Sequence, residues 1–271
     1  MGRVYQELTA KDNPAVKLYK KLAGSKKART DERAFVLEGY RLVSDALANG
    51  AAVTKLFITA GADVKYGDEL CGMADEKCRI YRISDELGRH MAETEATQGV
   101  FAVCSLPKEK PLCEFVKKDG VYAVLYQLQD PGNAGMILRT ADALGVDGVI
   151  FSRSCDIYSP KVVRATMGSL FRVPVAVCSD VDEIFRELSG AGIESDAAVV
   201  RGDAVMAGSC SYPENGRAVW IGNEGNGLPD EISDRCHRRI TIPMHGNIES
   251  LNAAMAAGIL MWEMTKGSDR K

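Results

Sequence analysis

The chain has 271 residues, of which 46% are hydrophobic and 7% aromatic, and its formal net charge is -3. This length suits one large domain or two ordinary ones, and the composition is typical of a globular protein with a substantial core. No apolar run reaches the roughly 20 residues of a membrane-spanning helix and no signal-peptide core begins the chain, so we expect a cytoplasmic protein without a membrane partner.

Residues 1–29 are strongly basic although the whole chain is slightly acidic. They contain eight lysines and arginines against two acidic residues, a net charge of +6. The ordinary explanation of such a run is a solvated helix face. The more specific explanation is contact with an RNA backbone. The residues predicted to contact RNA are Lys17, Lys20, Lys21, Lys26, Lys27 and Arg29.

Short helices and short strands alternate between about residues 12 and 104. Apolar residues at helical spacing predict helices in NPAVKLYKKLAG and YRLVSDALANG, with shorter helices near 67–76 and 85–92. Runs rich in branched and aromatic residues predict strands in AFVLEG, VTKLFIT, RIYRIS and GVFAVC. We therefore predict a first domain over 1–105.

The stretch 106–118 contains two prolines and a cluster of charges, and it is predicted to be a linker. A second domain, 119–271, begins with VYAVLYQL, an apolar run typical of a strand covered on both faces. Further strands are predicted in GVIFS, VPVAVC, DAAVV, AVWIG and RITIP. The intervening helices are predicted at 134–144, near 160–170, in VDEIFRELSG, from Pro229 and at the end of the chain. This alternation predicts a mostly parallel α/β sheet.

Ligands of open parallel sheets bind beyond the carboxyl ends of the strands, so the loops there can reveal a site. The first such loop, 130–133, has the sequence DPGN and is predicted to form a turn before a helix near Ala134. Arg139 then lies about a turn and a half beyond Asn133. From spacing alone, a turn followed by a helix with one solvated arginine explains this stretch equally well.

The second loop, in VWIGNEGNGLPDEI, contains three glycines that leave backbone N–H and C=O groups open to a ligand. Their order is G-x-x-G-x-G, which differs from the G-x-G-x-x-G of dinucleotide-binding folds. The third loop, MHGNIE, follows strand RITIP, and Ser250 is predicted to cap the last helix. The small residues at 253–258 permit very close packing of that helix.

These three stretches resemble, in order and at the expected separations, the three motifs of the SpoU-type (TrmH-like) RNA 2′-O-ribose methyltransferases of the SPOUT superfamily. The matching sequences are DPGNAGMILRTADALG, GNEGNGL and IPMHGNIESLNAAMAAGIL, within 121–266. In the N-terminal region, NPAVKLYKKL, FVLEGYRLVSDAL and ATQGVFAV resemble the small substrate-binding domain of many members. Two positions depart from the family pattern: His245, where small residues are commoner, and Thr97, where proline usually precedes QG. Neither departure changes the implied activity, though His245 could alter the rim of the cofactor site.

The resemblance implies an α/β fold in which the C-terminal, mostly parallel sheet contains a trefoil knot that holds S-adenosylmethionine. It also implies a small N-terminal α/β domain, related to a ribosomal-protein fold, that selects the RNA. The resemblance further implies a homodimer formed through the C-terminal domain. The implied reaction is methyl transfer to a ribose 2′-hydroxyl of ribosomal RNA, with transfer RNA as the alternative substrate.

The resemblance also assigns roles to individual residues. Arg139 would act on the 2′-hydroxyl through its contact with the RNA phosphate, since a guanidinium stays protonated and is an implausible base. Asn133 would orient the ribose or the arginine, Glu224 would fix the second loop, and Ser250 and Asn252 would organise the site. The residues expected to hold the cofactor are Gly222, Asn223, Gly227, Ile242, Met244 and Leu251.

Two other functions remain open from the residues alone. A nicotinamide-dependent oxidoreductase would need an early G-x-G-x-x-G and an acidic residue about 20 positions later, and neither follows Val121. A non-catalytic RNA-binding protein could keep the fold but would not need the intact set of polar residues in the three motifs. The eight cysteines are scattered without Cys-x-x-Cys spacing and the three histidines do not cluster with them, so no metal site is expected.

Overall fold

Five strands form a mixed sheet in the N-terminal region of the computed structural model, which describes residues 5–95, 97–200, 203–209, 216–246 and 248–266. Their order across the sheet is β1-β4-β3-β5-β2. β4 is parallel to both β1 and β3, whereas β5 is antiparallel to β3 and β2. The strands are β1 (Gln6–Leu8), β2 (Ala34–Glu38), β3 (Val53–Thr59), β4 (Arg79–Ile83) and β5 (Val100–Ser105).

Four of the five helices described in this region begin at a side-chain cap. The five are α1 (Pro14–Gly24), α2 (Lys26–Asp31), α3 (Tyr40–Ala48), α4 (Ala60–Met73) and α5 (Asp85–Met91). α3 begins after Gly39 without such a cap. α4 starts seven residues before the helix predicted near 67–76, because the Thr59 hydroxyl at the strand end accepts a hydrogen bond from Ala62 N at 3.3 Å. α2 was not predicted, since six residues are too few to show a helical period.

The sheet is buried on both faces by these helices. On one face, the ring of Tyr19 from α1 lies edge-on to Phe57 and Phe101, with ring centroids 6.1 and 5.7 Å apart. Tyr19 and Leu22 are fully buried, and each large side chain buried in this way contributes roughly 1.5–3 kcal/mol to stability. The helical spacing that predicted α1 therefore corresponds to its buried face.

A second sheet of seven strands follows, and each pair of neighbouring strands described in it is parallel. The predicted mostly parallel α/β sheet is thus confirmed. The order is β10-β12-β9-β11-β6-β7-β8. These strands are β6 (Val121–Tyr126), β7 (Gly148–Ser152), β8 (Val175–Val177), β9 (Glu194–Ala198), β10 (Val205–Met206), β11 (Arg217–Ile221) and β12 (Arg238–Thr241).

Helices accompany the strands of this sheet, and several of them form the crossovers between consecutive parallel strands. They are α6 (Leu112–Phe115), α7 (Pro131–Ala143), α8 (Pro160–Ala165), a 3₁₀ turn (Ser169–Phe171), α9 (Val181–Gly190), α10 (Asp230–Ser233) and α11 (Ala253–Thr265). α6 lies within the stretch predicted as a linker, and its Leu112 is buried in the core of the parallel sheet together with Trp220. Among the described helices, none has the length and apolar character needed to cross a membrane.

The chain divides into two compact units, and the division is not contiguous. The first unit comprises Met1–Lys108 and Asp156–Phe171, and the second comprises Glu109–Cys155 and Arg172–Lys271. The segment 156–171 packs in the core of the first unit. The sequence had placed this segment in the second domain. In that core, the rings of Tyr158 and Phe171 lie 5.0 and 6.4 Å from that of Phe35. Arg3, part of the basic N-terminal stretch, lies outside the described residues.

Candidate functional site

A cavity of about 460 Å³ opens at the carboxyl ends of β9, β11 and β12 in the second unit. This volume lies within the range of roughly 300–1,000 Å³ typical of small-ligand sites. Its walls are the ends of these strands, the loop after β11, the segment between β12 and α11, and the first turns of α11. The site therefore lies where open parallel sheets bind ligands.

All six residues predicted to hold a cofactor line this cavity: Gly222, Asn223, Gly227, Ile242, Met244 and Leu251. Of the predicted catalytic residues, Glu224 and Ser250 also line it. Glu249 lines it too and was not predicted, although an acidic residue beside Ser250 was a visible signal. Contact of these residues with a ligand stays a prediction.

The loop after β11 folds back on itself through paired backbone hydrogen bonds. Asn223 N donates to Gly227 O at 3.1 Å, and Gly227 N donates to Asn223 O at 2.9 Å. The Asn223 carboxamide oxygen accepts from Gly225 N and Asn226 N at 3.0 and 3.1 Å. A Cβ at Gly222 would overlap backbone atoms of Gly227, so glycine is required for this turn to close.

The Glu224 carboxylate joins this loop to the loop after β6. Its oxygens accept hydrogen bonds from Gln129 N at 3.1 Å, Asp130 N at 2.8 Å and Asn133 Nδ2 at 3.2 Å. Burial raises the pKa of Glu224, but the hydrogen bonds from the backbone of Asp130, Gln129 and Glu224 itself and from Asn133 outweigh this effect. The pKa therefore lies below the usual value for glutamate, and the carboxylate is ionised at neutral pH.

A second link connects the loop after β6 to the start of α11. Asn252 Nδ2 donates to Asn133 Oδ1 at 2.9 Å, and Asn252 Oδ1 accepts from Ala254 N and Met255 N at 2.9 and 3.3 Å. Because an ionised Glu224 can only accept, Asn133 must present its NH₂ to Glu224 and its oxygen to Asn252. The three loops are thus joined by the series Glu224–Asn133–Asn252.

Two predicted helix starts are corrected by these hydrogen bonds. Asn252 caps α11, so the predicted cap Ser250 lies two residues before it and is exposed. Either residue type can cap a helix, and the sequence did not distinguish between them. The predicted turn at 130–133 is instead the cap and first turn of α7, because Asp130 Oδ1 accepts from Asn133 N at 2.8 Å and Pro131 occupies the first helical position.

Arg139 lies on α7, which packs against α11, and its side chain is exposed. No hydrogen bond or ion pair connects it to any other residue that the structure describes. Its guanidinium is therefore available to a phosphate, and its assigned role stays a prediction. Asn133, by contrast, is 8% exposed and is held by Glu224 and Asn252.

The six basic residues predicted to contact RNA differ in whether their side chains are already paired with an acidic residue. Lys20 and Lys21 form ion pairs with Glu93 and Glu32 at 3.1 and 2.9 Å. Exposed ion pairs of this kind are weak and can exchange partners. Three lysines of the set are exposed and have no ion pair within the described part of the chain: Lys17, Lys26 and Lys27.

Arg29 is a structural residue and is removed from the predicted RNA contacts. It is only 6% exposed, and its Nε and Nη2 donate to Asp156 Oδ2 at 2.9 and 2.6 Å. Its Nη1 donates to the carbonyl oxygens of Leu22 and Ala23, at the end of α1. The sequence could not reveal this, because Asp156 is 127 positions away along the chain.

We expect Arg29→Ala to lower the free energy of unfolding of the first unit by about 3 kcal/mol, because it leaves the largely buried Asp156 carboxylate without its charge partner. Chemical denaturation followed by circular dichroism measures this change. The matched control, Lys27→Ala, removes an exposed charge and should change stability by less than about 0.5 kcal/mol. Equal effects of the two substitutions would contradict the structural role.

The described residues contain no group of three or more histidines, cysteines, aspartates or glutamates that could hold a metal ion. The described cysteines are all free thiols, and burial raises the pKa of Cys78 to about 11. The polar groups that face the cavity are instead backbone amides and the side chains of asparagine, serine, threonine and glutamate. Such a lining suits an organic ligand.

Two protein-family models match the chain, one in each region. The model described as the SpoU rRNA Methylase family matches residues 120–262. The model described as the MRM3-like substrate binding domain matches residues 13–102.

Similar proteins cover nearly the whole chain. The 23S rRNA (guanosine(2553)-2′-O)-methyltransferase RlmP of Bacillus subtilis is 31% identical over 264 residues, which are 96% of this chain and 99% of that protein. The structure of an AdoMet-bound rRNA methyltransferase from Sinorhizobium meliloti has a TM-score of 0.87 and 30% identity, and covers 96% of this chain and 97% of its own. The SpoU methyltransferase AviRb from Streptomyces viridochromogenes, in complex with AdoMet, has a TM-score of 0.84 and 27% identity, covering 94% and 97%.

Proposed function

This chain belongs to the SpoU rRNA methylase family, and from that premise we propose that it transfers a methyl group from S-adenosylmethionine to a ribose 2′-hydroxyl of RNA. The observation that carries the proposal is the hydrogen-bonded series Glu224–Asn133–Asn252, which joins the three family motifs beside a cavity of ligand size. Ribosomal RNA is the proposed substrate because the Bacillus subtilis relative is named for 23S rRNA. A cytoplasmic location belongs to the same proposal.

The residues around the cavity suit S-adenosylmethionine. Ile221, Leu228 and Ile240 offer apolar surface for a purine, and the backbone of Gly222, Ile242 and Leu251 offers hydrogen-bonding groups. Bound there, the cofactor supplies a methyl group made electrophilic by a positively charged sulfur. Two similar solved structures are described as AdoMet-bound, which supports this assignment.

Arg139 and Asn133 would position the RNA. The planar guanidinium of Arg139 can hold a phosphate with two parallel hydrogen bonds and so fix the adjoining ribose near the cofactor. Its positive charge also lowers the cost of removing the proton from the 2′-hydroxyl. Glu224 and Asn252 act through Asn133, whose amide they hold in one orientation.

Calorimetry followed by methylation mapping tests the function. We expect the purified protein to bind S-adenosylmethionine, and we expect one 2′-O-methyl site in ribosomal RNA to disappear from cells when the gene is deleted. Loss of a site in transfer RNA instead would identify the alternative substrate. Binding of S-adenosylmethionine with no change in any RNA would support the non-catalytic alternative and contradict the proposed reaction.

We also propose that the second unit contains the trefoil knot implied by the family. The strand order supports it, because β11 lies between β6 and β9 although it follows both in the chain, and β12 then lies beyond β9. Such a path brings the segment after β12 back beside the loop after β11, where both line the cavity. A crystal structure in which the C-terminal segment passes outside that loop would exclude the knot.

The first unit is proposed to bind the RNA substrate, since the family model matching 13–102 describes a substrate-binding domain. Replacing Lys17, Lys26 and Lys27 together with alanine should lower RNA affinity and reduce the slope of log affinity against log salt concentration by about 2 to 3. Fluorescence titration of an RNA fragment at several salt concentrations measures both. A slope equal to that of the wild type would show that these lysines make no phosphate contacts.

A homodimer through the second unit is the proposed assembly, and it is supported by exposed apolar side chains on the packed helices α7 and α11. Met136, Met255 and Trp262 are 53%, 54% and 56% exposed. The small residues at 253–258 serve packing within the chain: Ala254 and Ala257 are buried, and a Cβ at Gly258 would lie 3.5 Å from Thr140.

We expect Trp262→Glu to shift the protein from dimer to monomer at micromolar concentration, because burying a carboxylate in an apolar interface is costly. Light scattering measures the mass. Val177→Glu is the control, since Val177 is 67% exposed on the edge strand β8 of the same unit and should leave the dimer intact. A dimer that survives Trp262→Glu would place the interface elsewhere.

A further inference from the structure

Two of the described residues that line the cavity carry a carboxylate, and these two differ in their hydrogen bonding within the described part of the chain. Both oxygens of Glu224 accept hydrogen bonds from the loop after β6. Glu249 lies in the segment between β12 and α11, and its carboxylate has no hydrogen bond or ion pair with any residue in the described ranges. Its oxygens are therefore free to interact with a ligand.

Among the described residues that line the cavity, none carries a positive charge that could balance Glu249. The described residues that line it are apolar, glycine, asparagine, serine, threonine and the two glutamates, without lysine, arginine or histidine. Glu224 is also charged, but three hydrogen-bond donors hold its carboxylate, so Glu249 is the charged lining residue that remains free to pair with a ligand. A cavity with this charge attracts a cationic ligand more strongly than a neutral one of the same shape.

The substrate and product of the proposed reaction differ in this property. S-adenosylmethionine carries a positively charged sulfonium, whereas S-adenosylhomocysteine, which has lost the methyl group, carries a neutral thioether. The two molecules are otherwise almost identical in shape, so packing against the cavity walls distinguishes them poorly. A protein can therefore distinguish the two molecules by their charge.

We infer that Glu249 is a specificity-determining residue that makes the cavity favour the cationic methyl donor over its neutral product. This inference rests on the proposed function. The favoured binding of donor over product promotes exchange of the spent cofactor for a fresh one after each turnover. Glu249 is exposed, so solvent screens its charge, and we expect its contribution to be about fivefold in relative affinity.

The experiment compares the affinities of both molecules by calorimetry in wild-type protein and in Glu249→Gln. The substitution keeps the size of the side chain and removes its charge. We expect S-adenosylmethionine to bind about fivefold more weakly to the variant, with little change for S-adenosylhomocysteine. In the wild type, raising the salt to about 1 M should reduce the preference toward that of the variant, because the Debye length falls to about 3 Å.

Glu231→Gln is the matched control, because Glu231 is an exposed glutamate on α10 that does not line the cavity, and it should preserve the wild-type ratio of affinities. An unchanged ratio in Glu249→Gln would overturn the inference, whether or not methylation slows. A slower reaction with an unchanged ratio would indicate that Glu249 acts on the 2′-hydroxyl instead. If the wild type itself bound neither molecule, the proposed function would fail.

Discussion

Arg139→Ala should lower the rate of methyl transfer by about 100-fold or more while leaving the affinity for S-adenosylmethionine unchanged. The side chain is exposed on α7 and has no polar partner within the described part of the chain, so its removal breaks no polar contact there. The cavity is lined by other elements, which is why cofactor binding should survive. The loss of activity should therefore appear in the methyl-transfer step, which requires the RNA to be held in place.

Arg139→Lys should resemble Arg139→Ala more than the wild type. Lysine retains the positive charge but lacks the planar fork that holds a phosphate with two hydrogen bonds. If charge alone were responsible, the lysine variant would keep most of the activity. The pair of substitutions thus separates geometry from electrostatics at one position.

Single-turnover methylation with saturating cofactor and RNA measures these rates, and calorimetry measures cofactor affinity in the same variants. Arg186→Ala serves as the control, since Arg186 is an exposed arginine on α9 of the same unit. A nearly normal rate for Arg139→Ala would exclude Arg139 from catalysis and leave it a solvated residue of the helix.

Gly222→Ala should weaken binding of S-adenosylmethionine by about tenfold to a hundredfold. The added Cβ would overlap the carbonyl carbon and oxygen of Gly227 and the amide nitrogen of Leu228. These are backbone atoms, so no side-chain rotation can relieve the overlap and the loop itself must move. Displacing the loop also disturbs the Asn223–Gly227 hydrogen bonds that shape one wall of the cavity.

Gly225→Ala is the matched control within the same loop. A Cβ at Gly225 would have as its nearest neighbour the Asn223 carboxamide oxygen at 3.6 Å, an ordinary contact. Calorimetry should therefore show nearly wild-type affinity for this variant. Equal losses in both variants would mean that the loop tolerates no side chain on its ligand-facing surface, and equal wild-type affinity would mean that the loop is not part of the cofactor site.

The sequence predicted those parts of the fold whose signals are local. The apolar run at 121–126 and the regular alternation after it correctly indicated a parallel sheet, since a buried strand has a distinctive composition. The start of α11 was misplaced because Ser250 and Asn252 are both good caps; in the structure Asn252 accepts the capping hydrogen bonds and also contacts Asn133. That contact joins residues 119 positions apart, beyond the range of any local pattern.

Long-range pairing also explains the other differences. In the sequence, the segment 156–171 resembles an ordinary connection between two strands. It belongs to the first unit because Tyr158 and Phe171 contact Phe35. Asp156 also forms an ion pair with Arg29. The sequence pattern does not distinguish the three basic residues Lys20, Lys21 and Arg29. Their acidic partners nevertheless come from different parts of the fold. Charge patterns identify a basic region but not which of its members are free.

The dual use of Asn252 has a consequence for the order in which the site is assembled during synthesis. Its carboxamide oxygen caps α11 while its NH₂ group holds Asn133, so the cap and the site form together. All seven strands of the second sheet precede residues 242–252 in the chain, and these residues supply one wall of the cavity. A nascent chain can therefore synthesise every strand of the sheet before this wall exists, and we expect ligand binding to report that the final helix has docked.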